Sequence, residues 1–188
     1  MITRRRAFEL LNEKLPNKNL VRHCIAVEAT MRALAKRFNE DPELWGISGL
    51  LHDMDWEATR DDITKHTHKT VEWLAEIGQD DQLLTRTILS HNYKNVGVDE
   101  PENAREWSLY CCDELTGFIV ACALILPTKK IADVKVDSVI KRFPQQRFAA
   151  GVHREQIMLC ETKLGIPIVD FVTLTLTAMQ GVSEDIGL

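Results

Sequence analysis

The sequence has no Cys-x-x-Cys pair, no leader-like start, no strand-like alternation of useful length and no apolar run long enough for a bilayer. Each absence removes a class of function. Five cysteines are an odd number without metal-type spacing, which argues against a disulfide framework and a cysteine zinc site. A reducing cytoplasm is the expected setting. Arg4, Arg5 and Arg6 are followed by neither an apolar segment nor a small-residue cleavage site, so no secretory signal is expected. The longest apolar stretch, Leu115–Leu126, falls short of the ~20 residues that span a membrane. Positive charge is also in short supply: 23 Lys+Arg stand against 28 Asp+Glu, a net charge of −5. That balance argues against a protein that coats long nucleic acid or an anionic membrane. Repeats, low-complexity segments and linkers are missing too, and 188 residues at 45% apolar content suit one domain with a substantial core.

What is present reads as helix after helix. Leu20, Cys24, Val27, Met31, Leu34 and Phe38 recur at helical period, with Asn19 as the expected N-cap after the break at Pro16. Asp41-Pro42 opens a second helix that ends near His52-Asp53. The charged segment Met54–Thr64 reads as a loop. Helices follow at about Thr67–Ile77, stopped by Gly78, and at Gln82–Asn92, capped by Asp80 or Asp81. After a loop at Asn95–Glu102, the stretch Ala104–Leu126 is apolar nearly all round, as a central covered helix would be. Helical segments are expected at Val136–Phe143, Gln145–Ala149, His153–Leu164 and Pro167–Gln180. The expectation is an all-α single domain over 1–188, with a core at about 18–126 and a helical extension at about 127–188.

The chemistry-bearing residues fall on these helices in order. His23 lies at the edge of the first apolar stripe. Asp113 lies inside the central helix, flanked by Tyr110, Cys112 and Leu115, where an ionised carboxylate needs a counter-charge, a metal or a shifted pKa. His52 and Asp53 leave the carbonyl end of a helix, where a cation is favoured. Imidazole nitrogen with carboxylate oxygen suits Mn, Fe, Co, Ni or Zn. His23, His52, Asp53 and Asp113 therefore form a four-ligand proposal. His91 shares an apolar face with Leu84 and Ile88, and His66 or His68 can turn inward at the start of its helix, so a second ion has candidates as well. His153 is isolated and reads as a surface or structural residue.

Gly49-Leu50-Leu51-His52-Asp53, Ile88-Leu89-Ser90-His91 and Cys112-Asp113-Glu114-Leu115 together resemble the HD superfamily of metal-dependent phosphohydrolases. The likeness covers roughly residues 18–126, and the downstream region is similar to a functionally uncharacterised group of HD-type hydrolases. The resemblance implies that His23, His52, Asp53 and Asp113 are the metal motif, that Asp53 bridges two ions in two-metal members, and that His52 and Asp53 are the catalytic pair. It further implies His91 and one more histidine for the second ion. The family pattern at that position has a small residue four places on and leucine eight places on. His66 meets it with Thr70 and Leu74, whereas His68 would place Glu72 and Glu76 there. Two departures stand out: Asn92 replaces a second consecutive histidine, and Met54-Asp55 replaces a common Ile-Gly pair.

Charge is unevenly spread. Thr128–Arg154 carries seven Lys and Arg against two Asp, whereas Asp53–Asp62 holds five acids and one Arg. A positive segment across a metal cleft would clamp phosphate, with Lys129 and Lys130 the first candidates for substrate binding. Asp55, Glu57 and Lys69 are equal candidates for a general acid. Trp56 can cover a substrate. The leading expectation is a hydrolase with one or two divalent transition-metal ions acting on a small phosphorylated metabolite or nucleotide. The alternatives are a di-iron oxygenase, which the same resemblance allows, and a metal-containing sensor module without turnover. No pattern addresses oligomeric state.

Overall fold

The computed structural model describes residues 2–188. The chain runs through α1 (Arg4–Lys14), α2 (Lys18–Arg37), α3 (Pro42–Leu51), α4 (Trp56–Thr59), α5 (His68–Glu76), α6 (Gln82–Ser90), α7 (Tyr93–Val96) and α8 (Ala104–Leu124). A 3-10 turn at Ile131–Asp133 leads to α9 (Val136–Arg142), α10 (Arg154–Leu164), α11 (Ile168–Gln180) and α12 (Ser183–Ile186). No strand occurs among the described residues. The protein is all-α.

Caps fix several boundaries. Helix α3 starts where the Asp41 side chain accepts from the Glu43 amide and Pro42 occupies the first turn. Helix α6 starts where Asp81 accepts from Leu83 and Leu84. The start of α2 differs from expectation: Asn17, not Asn19, is the cap, and its carboxamide accepts from the Asn19 amide. A single helical turn, α4, interrupts the segment read as a loop after Asp53. Helix α1 was absent from the periodic reading, although its buried Ala7, Leu10 and Leu11 keep helical spacing.

The segment 145–149 is turn rather than the expected helix, and the reason is a single side chain. The Arg154 guanidinium donates to the carbonyls of Phe143, Gln145, Phe148, Ala149 and Val152. These bonds hold the segment as successive turns, in which the Gln145 and Ala149 carbonyls also accept from the Phe148 and Val152 amides, and Pro144 supplies no amide of its own.

Helix α8 is the axis of the bundle. It packs against α2, α6, α10 and α11 and buries Trp107, Leu109, Cys111, Cys112, Leu115, Phe118 and Ile119. By length and composition it passes as a membrane-crossing helix, but 67% of its most apolar window is buried inside the fold. All five cysteines are free and buried.

The most extensive helix pair is α2 with α3. Gly49 sets how close they come: a Cβ at this position would lie 3.0 Å from the Val27 backbone carbonyl and 3.0 Å from Met31 Cγ. The same turn carries His52, so the approach of α3 to α2 sets where that imidazole stands. Gly49→Ala is expected to overpack this contact and cost about 1–3 kcal/mol. Its urea midpoint should fall with an unchanged slope; an unaltered midpoint would show that the contact is not tight.

Candidate metal centre

Five helices deliver six side chains to one place. His23 comes from the first turns of α2, and Asp113 from the middle of α8. His52 is the residue that ends α3, and Asp53 follows it. His91 ends α6 in the same manner, and His66 stands in the turns just before α5. Two helix carboxyl termini therefore converge on the site, and their partial negative charge favours a cation.

Each imidazole is held by its outer nitrogen. His52 Nδ1 donates to the Gly49 carbonyl at 2.8 Å, and His91 Nδ1 donates to the Ile88 carbonyl at 2.8 Å. His66 Nδ1 donates to Asp55 Oδ1 at 2.7 Å. The Thr116 hydroxyl donates to the Asp113 carbonyl, so at 3.4 Å its oxygen accepts from His23 Nδ1. With Nδ1 carrying the proton in every case, Nε2 presents its lone pair to the interior.

Those four Nε2 atoms surround Asp53. Asp53 Oδ2 lies 3.5 Å from His52 Nε2 and 3.8 Å from His23 Nε2. Asp53 Oδ1 lies 3.2 Å from His66 Nε2 and 3.4 Å from His91 Nε2. Asp113 Oδ1 completes the first side, 2.9 Å from His23 Nε2 and 3.5 Å from His52 Nε2. One carboxylate thus faces two half-sites, one oxygen to each. Separations of this size match the edges of a coordination polyhedron with ligands about 2.1 Å from an ion.

Two features fit a cation and little else. His52 Nε2 is buried without any hydrogen-bond partner. His66 Nε2 and His91 Nε2 face each other at 3.2 Å, where two lone pairs repel unless a proton or a metal sits with them. The donor atoms of His23, His52 and Asp113, and those of His52, Asp53 and His91, each lie within 4.8 Å of one another. In the metal-free state, protons take that place. Burial alone would lower the His52 and His66 pKa values, but the carboxylates of Asp53, Asp113 and Asp55 outweigh it and raise both to about 9. Burial would raise the Asp53 and Asp113 carboxyls; the imidazoles reverse that and hold both below the usual range.

The choice between His66 and His68 has a structural answer. His66 is buried at the cluster, whereas His68 is turned out and bonds the Val96 carbonyl. Asp55 is fully buried: its Oδ1 orients His66, and its Oδ2 accepts from the Thr70 amide. The departure from the family pattern at Met54-Asp55 marks this acid in the sequence, but nothing local to the charged loop shows that it is buried and holds His66. Asn92 donates to the carbonyls of Ile63 and His66 and so ties the His66 turn to the end of α6. Both departures from the family pattern thus support His66.

The centre opens into a cavity of about 350 Å³ lined by Trp56, Lys94, Tyr110, Glu114 and His153 among others. Trp56 packs edge-on against His66 with ring centroids 5.0 Å apart. Lys129 and Lys130 are exposed beyond the end of α8 and do not line this cavity; its lysine is Lys94. Most of the basic charge in 128–154 is likewise elsewhere, with Arg154 spent on backbone carbonyls and Arg142 stacked on Phe148. Of the three candidate acids, Asp55 holds His66, Glu57 accepts from the Asn17 amide and Lys69 pairs with Glu72. None of them lines the cavity.

Asp55→Ala is expected to leave His66 Nδ1 and the Thr70 amide without partners and to weaken metal binding by roughly 10–100-fold. Competition with a chromogenic chelator measures this; unchanged affinity would remove Asp55 from the support of the site.

A sequence model of the HD domain matches residues 20–116, just over half of the chain, and all six converging side chains lie inside that span. No curated protein and no solved structure matches the chain. The matched span is the part of the fold that gathers His23, His52, Asp53, His66, His91 and Asp113, and on that match the chain belongs to the HD domain family, whose members are mostly metal-dependent hydrolases.

Proposed function

We propose that this protein is a metal-dependent phosphohydrolase acting on a small phosphorylated molecule. The observation that carries the reading is Asp53, whose two oxygens face two histidine-lined half-sites at the floor of a cavity. His23, His52, Asp53 and Asp113 would hold one divalent transition-metal ion, and Asp53, His66 and His91 a second. Such ions supply Lewis-acid polarisation of phosphoryl oxygens and a water acidified toward neutral pH.

The chain's own groups do the rest. The fixed Nδ1 bonds keep the Nε2 lone pairs aimed without reorganisation, which preserves the site's geometry through turnover. The Lys94 ammonium lies over the Tyr93 and Tyr110 rings, 5.7 and 5.6 Å from their centroids, and supplies the lining with a cation for a phosphate. Trp56 shields the His66 side of the centre from water. A cavity of about 350 Å³ suits a small molecule rather than a polymer.

Protein purified without chelator is expected to carry about one to two transition-metal ions per chain and to hydrolyse a phosphomonoester or diester in a panel supplied with Mn, Fe, Co, Ni, Mg or Zn. His52→Ala and Asp53→Ala should each lose metal and turnover together. Full activity in either variant would overturn the site assignment, and iron-dependent oxygen uptake without phosphate release would move the reading to an oxygenase.

The pH dependence has a definite sign. His52 and His66, held near 9 in the metal-free site, must lose their protons before a metal can bind. Apparent metal affinity should therefore climb with pH until about 9 and then level off, with proton release seen by calorimetry in buffers of different ionisation enthalpy. The charged imidazoles also stabilise the metal-free fold below about pH 6.5, a contribution lost as pH rises through about 9. Metal uptake without proton release would contradict this ionisation state.

A further inference from the structure

Two histidines of the cavity lining, His66 and His91, face Asp53; the third, His153, does not take part in that cluster. It stands at the start of α10, and that helix is fastened to α8 at two points. Gln156 Nε2 donates to the Tyr110 carbonyl at 2.6 Å, and Glu114 accepts twice from His153, from Nδ1 at 2.7 Å and from the backbone amide at 3.1 Å. Glu114 directly follows Asp113. The pair is therefore locked to α8 beside the carboxylate that this helix brings to the Asp53 cluster. Nδ1 is committed to Glu114, and Nε2 has no partner among the described residues. The side chain keeps 65% of its exposure, so Nε2 is reachable by whatever occupies the cavity.

We propose that His153 is the general acid of the hydrolysis and that Glu114 is its positioning residue, a proposal that rests on the phosphohydrolase reading above. As the water oxygen bonds to phosphorus, the bond from phosphorus to the leaving oxygen breaks and its electron pair stays on that oxygen. The proton on His153 Nε2 passes to it, the attacking water gives its proton to solvent, and His153 is reprotonated from solvent. The charged groups around His153 favour this role. Its hydrogen bond with Glu114 and the charge of Glu114 raise its pKa, with a further contribution from Glu155 and against smaller opposing effects of partial burial and Lys94, so the surroundings favour the protonated ring.

The test uses the full chain loaded with Mn and compares two kinds of phosphoester: an alkyl ester, whose alkoxide needs a proton to leave, and 2,4-dinitrophenyl phosphate, whose phenolate does not. His153→Ala should lower kcat on the alkyl ester by roughly 10²-fold or more while leaving the dinitrophenyl ester within a few-fold and metal content unchanged. The fall in wild-type alkyl-ester activity at high pH should vanish in His153→Ala and move to lower pH in Glu114→Gln, where the anion that holds the proton is gone. Equal losses on both esters, or no loss on either, would overturn the proposal and leave the pair as a structural fastening. A wild-type protein that cleaves no phosphoester at all would overturn the underlying reading instead, and this role with it.

Discussion

The structure depends on one constraint: four imidazoles must each have their Nδ1 proton taken by a fixed acceptor so that four Nε2 lone pairs can meet around Asp53. Lone pairs and carboxylates brought this close repel one another unless positive charge lies among them. In the metal-free protein that charge is protons on His52 and His66, whose pKa values rise to about 9 for that reason. A metal ion held by the same side chains would supply that charge in place of the protons, with the Nδ1 acceptors as they stand. The centre is thus built to be neutralised, and its ligand geometry is set by bonds that lie outside it.

Those outer bonds explain much of the fold around the site. Two acceptors are backbone carbonyls three residues back along α3 and α6, so ending each helix at its histidine is itself the orienting device. The close passage of α3 over α2 at Gly49 fixes the first of these ends relative to His23. Helix α8, covered by α2, α6, α10 and α11, supplies Asp113 from a rigid segment. Asp55 and Asn92 do for the His66 turn what helix ends do for the other two rings.

Much of this was legible in the chain. The helical periodicity, the Asp41-Pro42 start and the His52-Asp53 end were readable because they follow from local rules, and the order of histidines and acids carried the family likeness. The choice of His66 over His68 was readable only through that likeness, which calls for a small residue and a leucine four and eight places on. What stayed hidden depends on contacts distant in sequence. Asp55 stood out only as a departure from the family pattern; its burial against His66 and the Thr70 amide shows what it does. His153 looked isolated because Glu114 is 39 residues away. Lys129 and Lys130 drew notice as a charge pair, yet the direction in which the chain leaves α8 takes them away from the cavity, where Lys94 stands instead. The non-helical segment 145–149 was misread since Arg154, which claims its carbonyls, acts from beyond it.

The most direct test of the central claim is anomalous X-ray diffraction from crystals of the full chain grown with Mn, recorded so that the metal signal is located independently of the protein atoms. The account predicts anomalous density beside Asp53, within bonding distance of His23, His52 and Asp113 on one side and, where a second ion is bound, of His66 and His91 on the other. Density at any other cluster, or none at this one in metal-replete protein, would contradict it.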